Sequence, residues 1–176
     1  MKIIKAIAIT TTLLVSTYAS AAASWLHVHE SVTINASAGK VWKAVRDFNA
    51  LNTWHPAVAK DDIVEGTNNA VGAVRLLTLK DGGTIKEKLL AFDAAGHKFR
   101  YAILEGVIPV SDYTSALTVV SAGKGKATVS WSGHFHRKNI GDNPADNEND
   151  KAAVDTITGV YRGGLDNLKK MMEGGT

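Results

Sequence analysis

The sequence contains no cysteine among its 176 residues, so disulfides cannot stabilise the fold and a cysteine nucleophile is excluded. A G-x-S-x-G motif and a phosphate-binding glycine loop are also absent, and no nucleophile triad can be assembled. Without cross-links, the chain must rely on a hydrophobic core. Its length and its 45% content of apolar residues are sufficient for one globular domain.

Charge of one sign is not concentrated along the chain. The net charge is +3, and two of the positive charges belong to Lys2 and Lys5 near the N-terminus. A nucleic-acid-binding protein needs Lys and Arg clustered on one face, and no such stripe is visible in this sequence. We therefore expect no nucleic-acid partner.

Residues 1–23 have the order of a secretory signal peptide. Two lysines precede an apolar segment over residues 6–15, and small residues with A-x-A spacing follow over residues 16–23. The apolar segment is shorter than the roughly 20 residues that a membrane-spanning helix needs. We expect export to the periplasm, cleavage before a domain at residues 24–176, and no stable membrane anchor after cleavage.

The remaining sequence has the alternation of an antiparallel sheet with flanking helices, an α+β pattern. Residues 25–36 read as a strand, Ser37 matches the N-cap of a short helix, and Trp54-His55-Pro56 forms a turn after it. Further strands are predicted at residues 61–65, 73–79, 84–92, 97–104, 112–120 and 126–136. The turn at residues 80–83 joins two of these strands into a hairpin.

The last predicted element is a long amphipathic helix over residues 150–172. Its apolar stripe contains Val154, Ile157, Tyr161, Leu165, Leu168 and Met172. Gly159, Gly163 and Gly164 lie inside the helix, where each costs about 1 kcal/mol relative to alanine. We interpret these glycines as positions where the sheet approaches the helix closely or where space is left beside it. The helix would then cover the apolar face of the sheet.

Five stretches of the chain resemble the START and Bet v 1 superfamily, in particular its bacterial polyketide cyclase/dehydrase and lipid-transport group. These stretches are residues 38–48, 54–58, 71–75, 86–93 and 105–113. The resemblance implies a helix-grip fold, in which a curved seven-stranded antiparallel sheet wraps around a long C-terminal helix, with two short helices after the first strand. It also implies an internal pocket for a small apolar or amphipathic ligand.

Together with the predicted export, the chain is similar to the periplasmic MxaD-type proteins of methanol oxidation. This resemblance implies an accessory role, with methanol dehydrogenase and its cytochrome c as partners and without a cofactor. The region over residues 72–113 also resembles plant abscisic-acid receptors. That likeness implies a gate over the pocket at Asp81 and Gly82, and a facing latch at Ile108 and Pro109.

Strand alternation predicts the pocket wall, because every second residue of a strand faces the same side. The inward-facing set comprises Glu87, Leu89, Phe99, Tyr101, Tyr113, Ser115, Leu117, Trp131 and Phe135. Tyr161 joins this set from the helix stripe. Trp54 and His55 are candidates for the pocket mouth, although packing of their turn against the helix is the simpler interpretation.

Glu87 is the informative member of the wall, since an unpaired buried carboxylate is costly. Arg75 is a candidate ionic partner, and the hydroxyl groups of Tyr113 and Ser115 are candidate donors. One interpretation is a polar anchor for the head group of a ligand inside an apolar pocket. The alternatives are an ordinary buried ion pair and a carboxylate at the rim of the sheet.

Two histidine pairs have the two-residue spacing that places both side chains on one face of a strand. They are His27 with His29, and His134 with His136. Their face is opposite to that of Val28 and Phe135, so we expect them to point outward. No third ligand is evident from the sequence, and we therefore predict no metal site.

Three functions are consistent with these features. The first is a non-enzymatic periplasmic protein that binds an apolar ligand or a partner, the latter through the apolar loop at residues 107–110. The second is a polyketide cyclase or dehydratase that uses Glu87 with Tyr113 as its acid–base pair, and the third is a lipid carrier. No catalytic residue is assigned for the first function.

Overall fold

Seven strands and two α-helices follow one another in residues 24–174, the part of the chain that the computed structural model describes. Their order is β1 (Leu26–Ile34), α1 (Ala38–Val45), β2 (Val58–Glu65), β3 (Val74–Leu79), β4 (Thr84–Asp93), β5 (Lys98–Gly106), β6 (Val110–Ser121), β7 (Ala127–Arg137) and α2 (Asp150–Glu173). The predicted signal peptide at residues 1–23 lies outside the described residues. Between residues 24 and 174, the helices lack the combination of length and apolar character needed to cross a membrane.

The strands form one antiparallel sheet in the order β1-β7-β6-β5-β4-β3-β2. Successive hairpins connect β2 to β7, and β1 pairs with β7, with Val28 opposite Gly133. Register shifts in the β2–β3, β4–β5 and β6–β7 pairs mark bulges, which bend a sheet. α2 packs against β1 and β7. The predicted α+β class and the helix-grip arrangement are confirmed.

Only one of the two short helices predicted after β1 is an α-helix. α1 begins as predicted, with the Ser37 side chain accepting a hydrogen bond from the backbone N–H of Lys40 at 3.4 Å. The second segment, Leu51–Thr53, is a single 3-10 turn without a side-chain cap. Pro56 disfavours helical backbone at His55, so the segment cannot continue as a helix into β2.

The apolar loop before β6 is shorter than its composition suggests. β5 continues to Gly106, which pairs with Ile85, and β6 begins at Val110, which pairs with Arg137. Residues 107–109 alone connect the two strands. The sequence around this loop resembles a turn. Pairing with the neighbouring strands β4 and β7 nevertheless extends β5 and β6 into it.

α2 covers the inner face of the sheet with a buried stripe. The stripe consists of Ala153, Ile157, Tyr161, Gly164, Leu165 and Leu168. Val154 and Met172, which the sequence placed in the stripe, are only half-buried, because Ala153 and Leu168 occupy its centre. The Asn149 side chain caps the start of the helix by accepting a hydrogen bond from the Ala152 N–H at 2.9 Å.

Gly164 is the one glycine of α2 that closely faces other side chains. A Cβ atom at this position would lie 2.6 Å from the ring of His55, 3.0 Å from that of Trp131 and 3.1 Å from that of Trp54. Gly159 and Gly163 have nothing within 4 Å of the same added atom. Of the two alternatives, a close approach therefore describes Gly164, and open space describes Gly159 and Gly163.

Alanine substitutions in α2 should separate these two environments. Gly163→Ala should raise the free energy of unfolding by about 0.5–1 kcal/mol, because alanine is the better helix former and meets nothing. Gly164→Ala should lower it by about 1–3 kcal/mol, because three packed rings must move. Urea unfolding followed by circular dichroism measures both. Equal stability of the two variants would contradict the close packing at Gly164.

Candidate functional site

A cavity of about 70 Å³ lies between the sheet, the segment before β2 and α2. Its wall is mostly apolar, and its polar members are His55, Glu87, Tyr101 and Tyr113. The apolar members are Leu51, Ala57, Val58, Leu77, Leu79, Ile85, Ile103, Ile108, Trp131, Ile157 and Val160. The structure thus has a small, mostly apolar cavity between the sheet and α2.

The size of the cavity limits what it can hold. One water molecule needs roughly 10–15 Å³, and a cavity of about 150 Å³ accommodates benzene. A volume of about 70 Å³ is therefore room for several waters or for one molecule of a few non-hydrogen atoms. A lipid chain or a polyketide does not fit this volume.

Some of the predicted pocket residues lie in the cavity wall. Glu87, Tyr101, Tyr113 and Trp131 line it, as do His55 and Ile108 from the predicted mouth. Several lining residues were not predicted, namely those of β2, β3 and the Ile157–Val160 part of α2. The alternation of β3 was the available signal for Leu77 and Leu79, but the position of α2 could not be inferred from it.

Other predicted pocket residues lie outside the cavity. Arg75, Phe99 and Leu117 border a separate void of about 10 Å³, together with the predicted mouth residue Trp54. Leu89, Phe135, Ser115 and Tyr161 are buried in the core behind the wall. The reason is that the inner face of the sheet extends beyond the cavity, and aromatic side chains fill the rest. Phe99, for example, packs against Trp42 and Phe48.

The predicted gate does not form part of the cavity wall. Asp81 and Gly82 are exposed at the tip of the β3–β4 hairpin, where the Asp81 side chain accepts a hydrogen bond from the Gly83 N–H at 2.9 Å. Pro109 is half-buried and also lies outside the wall. Of the predicted gate and latch residues, Ile108 alone reaches the cavity, because the short connection after β5 turns its side chain inward.

Glu87 is part of a buried ionic cluster around Arg75. The two residues are opposite each other on β3 and β4. The Nε and NH2 groups of Arg75 donate to Oε2 of Glu87 at 2.7 and 2.6 Å, and NH1 donates to the Phe48 carbonyl at 2.6 Å. The guanidinium also lies 4.1 Å from the centre of the Phe48 ring. The contacts of Glu87 are therefore those of a buried ion pair, which was one of the interpretations considered for this residue.

Asp61 is a second carboxylate in the same cluster, and the sequence analysis missed it. Its Oδ2 atom accepts hydrogen bonds from the Leu51 N–H at 2.9 Å and from Arg75 NH1 at 3.3 Å. Oδ1 is buried and has no hydrogen-bond partner among residues 24–174. Burial raises the pKa of Asp61 and of Glu87, and Arg75 acts against this effect in both. One guanidinium thus faces two carboxyl groups.

His55 is held in one neutral tautomer at the edge of the cavity. Its Nδ1 atom accepts a hydrogen bond from the Ala57 N–H at 3.2 Å, so Nε2 carries the proton and donates to the Val160 carbonyl at 2.9 Å. Burial lowers the pKa of His55. Both ring nitrogens are therefore used to attach the turn before β2 to α2, in agreement with the simpler interpretation of this turn.

Three tyrosines, Ser115 and Trp131 form a continuous chain of buried hydrogen bonds. The Ser115 hydroxyl donates to the carbonyl of Ser132 at 2.8 Å, so it must accept from Tyr161. Tyr161 in turn accepts from Tyr113, and Tyr113 accepts from Tyr101. The indole N–H of Trp131 begins the chain by donating to Tyr101 at 2.9 Å. The donor and the acceptor of every hydrogen bond in this chain are thereby assigned.

One bond of this chain is long. The oxygen atoms of Tyr101 and Tyr113 are 3.4 Å apart, whereas the other bonds measure 2.5–2.9 Å. Hydroxyl-to-hydroxyl bonds are normally 2.5–3.0 Å long. Tyr101 and Tyr113 are also the two tyrosines that line the cavity. Burial raises the pKa of each tyrosine, so all three are neutral donors.

The fold and the cavity define a class of protein: a helix-grip domain with a small, mostly apolar internal cavity. The model of the family described as polyketide cyclase/dehydrase and lipid transport matches residues 26–173. The chain belongs to this family, and its resemblance to the Bet v 1 superfamily is confirmed.

Three known proteins are similar to this chain in sequence or in fold. XoxI of Bacillus cereus has 28% sequence identity and a TM-score of 0.73, over 83% of this chain and 94% of that one. MLP-like protein 423 of Arabidopsis thaliana is 26% identical over 120 residues, which cover 62% of this chain and 76% of that protein. Ara h 8.0201, at 22% identity, covers 86% of this chain and 99% of its own with a TM-score of 0.67, and it shares the fold.

Substitutions in the ionic cluster should have unequal effects. Arg75→Met leaves two buried carboxylates without a cation, so we expect a loss of about 3–5 kcal/mol in the free energy of unfolding at neutral pH. Glu87→Gln leaves the carboxylate of Asp61 to balance the charge of Arg75. We expect this substitution to lower the free energy of unfolding by about 1–3 kcal/mol. Urea unfolding measures both losses.

The pH dependence gives an independent check on the cluster. The loss in Arg75→Met should shrink as the pH falls and the two carboxyl groups become neutral. Lys60→Met serves as the control, because it removes an exposed ion pair with Asp62 and should cost at most about 1 kcal/mol. Equal losses for Arg75→Met and Glu87→Gln would show that Asp61 does not take part.

Proposed function

We propose that this protein binds a small apolar molecule carrying one hydroxyl group, without catalysing its conversion. The observation that carries the proposal is the long Tyr101–Tyr113 contact in the cavity wall. A ligand hydroxyl placed there would accept a hydrogen bond from Tyr101 and donate one to Tyr113. After a small separation of the two tyrosine oxygens, two bonds of normal length would then replace one long bond.

The rest of the wall favours a small and apolar ligand body. Besides the tyrosines, most of the surrounding side chains are aliphatic, including Leu77, Ile103 and Ile157. Apolar pockets with a few placed polar groups are typical of small-molecule binding. The cavity volume of about 70 Å³ speaks against the lipid-carrier and polyketide alternatives.

The contacts of the acid and base candidates favour binding over catalysis. Glu87 is engaged by two nitrogen atoms of Arg75 through one of its oxygens, and both ring nitrogens of His55 bond to backbone groups. A general acid or base must exchange its proton with the substrate at hydrogen-bond distance. Glu87 and His55 are instead occupied by bonds to other parts of the protein.

The proposal includes export and a partner. We infer that residues 1–23 direct the chain to the periplasm, where it acts as an accessory protein of methanol oxidation on methanol dehydrogenase and its cytochrome c. Support comes from the similarity to MxaD-type proteins in the sequence. Val107, with 55% of its surface exposed, lies in the short loop beside Ile108 and offers a contact surface next to the cavity.

Two probes of equal size can test the ligand part of this proposal. 2-Propanol both accepts and donates a hydrogen bond, whereas acetone only accepts. We expect 2-propanol to bind about fivefold more tightly, which corresponds to one hydrogen bond of about 1 kcal/mol. Backbone amide NMR titration of the folded protein gives both affinities and locates the site.

Two variants make the ligand test decisive. Tyr113→Phe should remove the preference for 2-propanol, and Leu77→Phe should weaken both probes because the larger side chain enters the cavity. If Leu77→Phe changes neither affinity, the cavity is not the binding site. A preference for 2-propanol that survives in Tyr113→Phe would contradict the role of the tyrosine pair.

A charge on the short loop should weaken partner binding. Val107→Asp should reduce binding to methanol dehydrogenase or to its cytochrome c at least tenfold, because it places a carboxylate in an apolar contact. Val120→Asp is the matched control, since Val120 is 50% exposed at the far end of β6. Biolayer interferometry with the purified partners measures both. Identical binding by the two variants would remove this loop from the interface.

A further inference from the structure

Four of the six histidines of the chain lie on one face of two paired strands. β1 carries His27 and His29, and β7 carries His134 and His136. The register places His27 directly opposite His134, and the two imidazole rings are 4.4 Å apart between centroids. Two pairs that are far apart in the sequence thus form one patch, which we call the histidine patch.

The histidine patch is on the outer face of the sheet, away from the cavity. His27, His29 and His134 are exposed, and the alternating residues Val28 and Phe135 are buried on the inner side. The prediction that the histidines point outward is therefore confirmed. The cavity and the histidine patch are separate sites on opposite faces of the sheet.

The outer-face neighbours of His134 are uncharged. Across the strand pair from β7, His134 is opposite Thr114 of β6, and His136 is opposite Ser111. Ser132 lies two residues before His134 on β7, and its hydroxyl group forms a hydrogen bond of 2.6 Å with the Nδ1 atom of His29. None of these cross-strand neighbours carries a positive charge that would repel a cation.

The hydrogen bonds at the edges of the histidine patch leave ring nitrogens available. Nδ1 of His136 lies 3.0 Å from the backbone carbonyl of Ser24 and must donate to it, so Nε2 of His136 carries a lone pair. The rings of His27 and His134 contact each other, and neither side chain makes a hydrogen bond or an ion pair within residues 24–174.

We propose that His27 and His134 bind a divalent first-row transition metal ion, with Cu²⁺ bound most tightly. Imidazole nitrogen is a preferred ligand of Cu²⁺, Ni²⁺ and Zn²⁺, and Cu²⁺ has the highest affinity in this series. Two nitrogen ligands from opposite strands leave the remaining positions of a tetragonal Cu²⁺ ion to water. Residues 24–174 contain no group of three or more His, Asp or Glu side chains placed to hold a metal ion, so the proposal assigns two protein ligands only.

A titration of the untagged protein with CuCl₂ tests this site, since a polyhistidine tag would compete for the metal. Isothermal titration gives the affinity and stoichiometry, and electron paramagnetic resonance reports nitrogen ligands on the bound ion. We expect one Cu²⁺ per chain, two nitrogen ligands, and weaker binding of Ni²⁺ and Zn²⁺. His27→Gln and His134→Gln should each weaken Cu²⁺ binding at least tenfold.

His97→Asn is the matched control, because it removes an imidazole in the turn between β4 and β5, away from the histidine patch. The backbone φ of His97 is 49°, a conformation that asparagine adopts readily. Its Cu²⁺ affinity should equal that of the unsubstituted protein. Equal affinity in His27→Gln and His134→Gln, or an equal small loss for every histidine replaced, would overturn the proposal, as would a failure to bind Cu²⁺. All these readouts are independent of ligand binding in the cavity.

Discussion

The buried guanidinium of Arg75 is the contact on which the rest of the structure depends. It joins β3 to β4 through Glu87, to β2 through Asp61, and to the turn after α1 through the carbonyl of Phe48. Asp61 extends this connection to the backbone of Leu51. The cluster thereby fixes the irregular segment between α1 and β2 on the sheet, and this segment supplies one side of the cavity.

Large rings are packed around one small residue of α2 next to the cavity. Trp54, His55 and Trp131 meet α2 at Gly164, where a Cβ atom would displace them. Beside this point of close approach, mostly aliphatic side chains surround the cavity, together with His55, Trp131, Glu87, Tyr101 and Tyr113. Protein interiors are normally packed as densely as crystals of small organic molecules. A cavity next to such close packing is therefore a specific feature of this arrangement of rings.

The polar groups around the cavity satisfy one another almost completely. Arg75 uses the carboxylate of Glu87, His55 uses two backbone groups, and Ser115 completes the chain of tyrosine hydroxyls. Unpaired polar groups are costly in such an interior, which explains why these side chains bond to the protein. In the cavity wall, the contact between Tyr101 and Tyr113 is longer than a normal hydroxyl bond and leaves bonding capacity for a molecule in the cavity.

Local features of the sequence determined the elements and their faces. The two-residue period of strands identified Glu87 and Tyr113 as inward-facing, because the direction of a side chain depends only on the pleat of its own strand. The hairpin turn after β3 made Arg75 a foreseeable partner of Glu87. Tertiary structure alone decided which inward side chains face empty space, and that His27 meets His134. These outcomes depend on the register between β1 and β7 and on the position of α2, which are set by packing between residues distant in sequence.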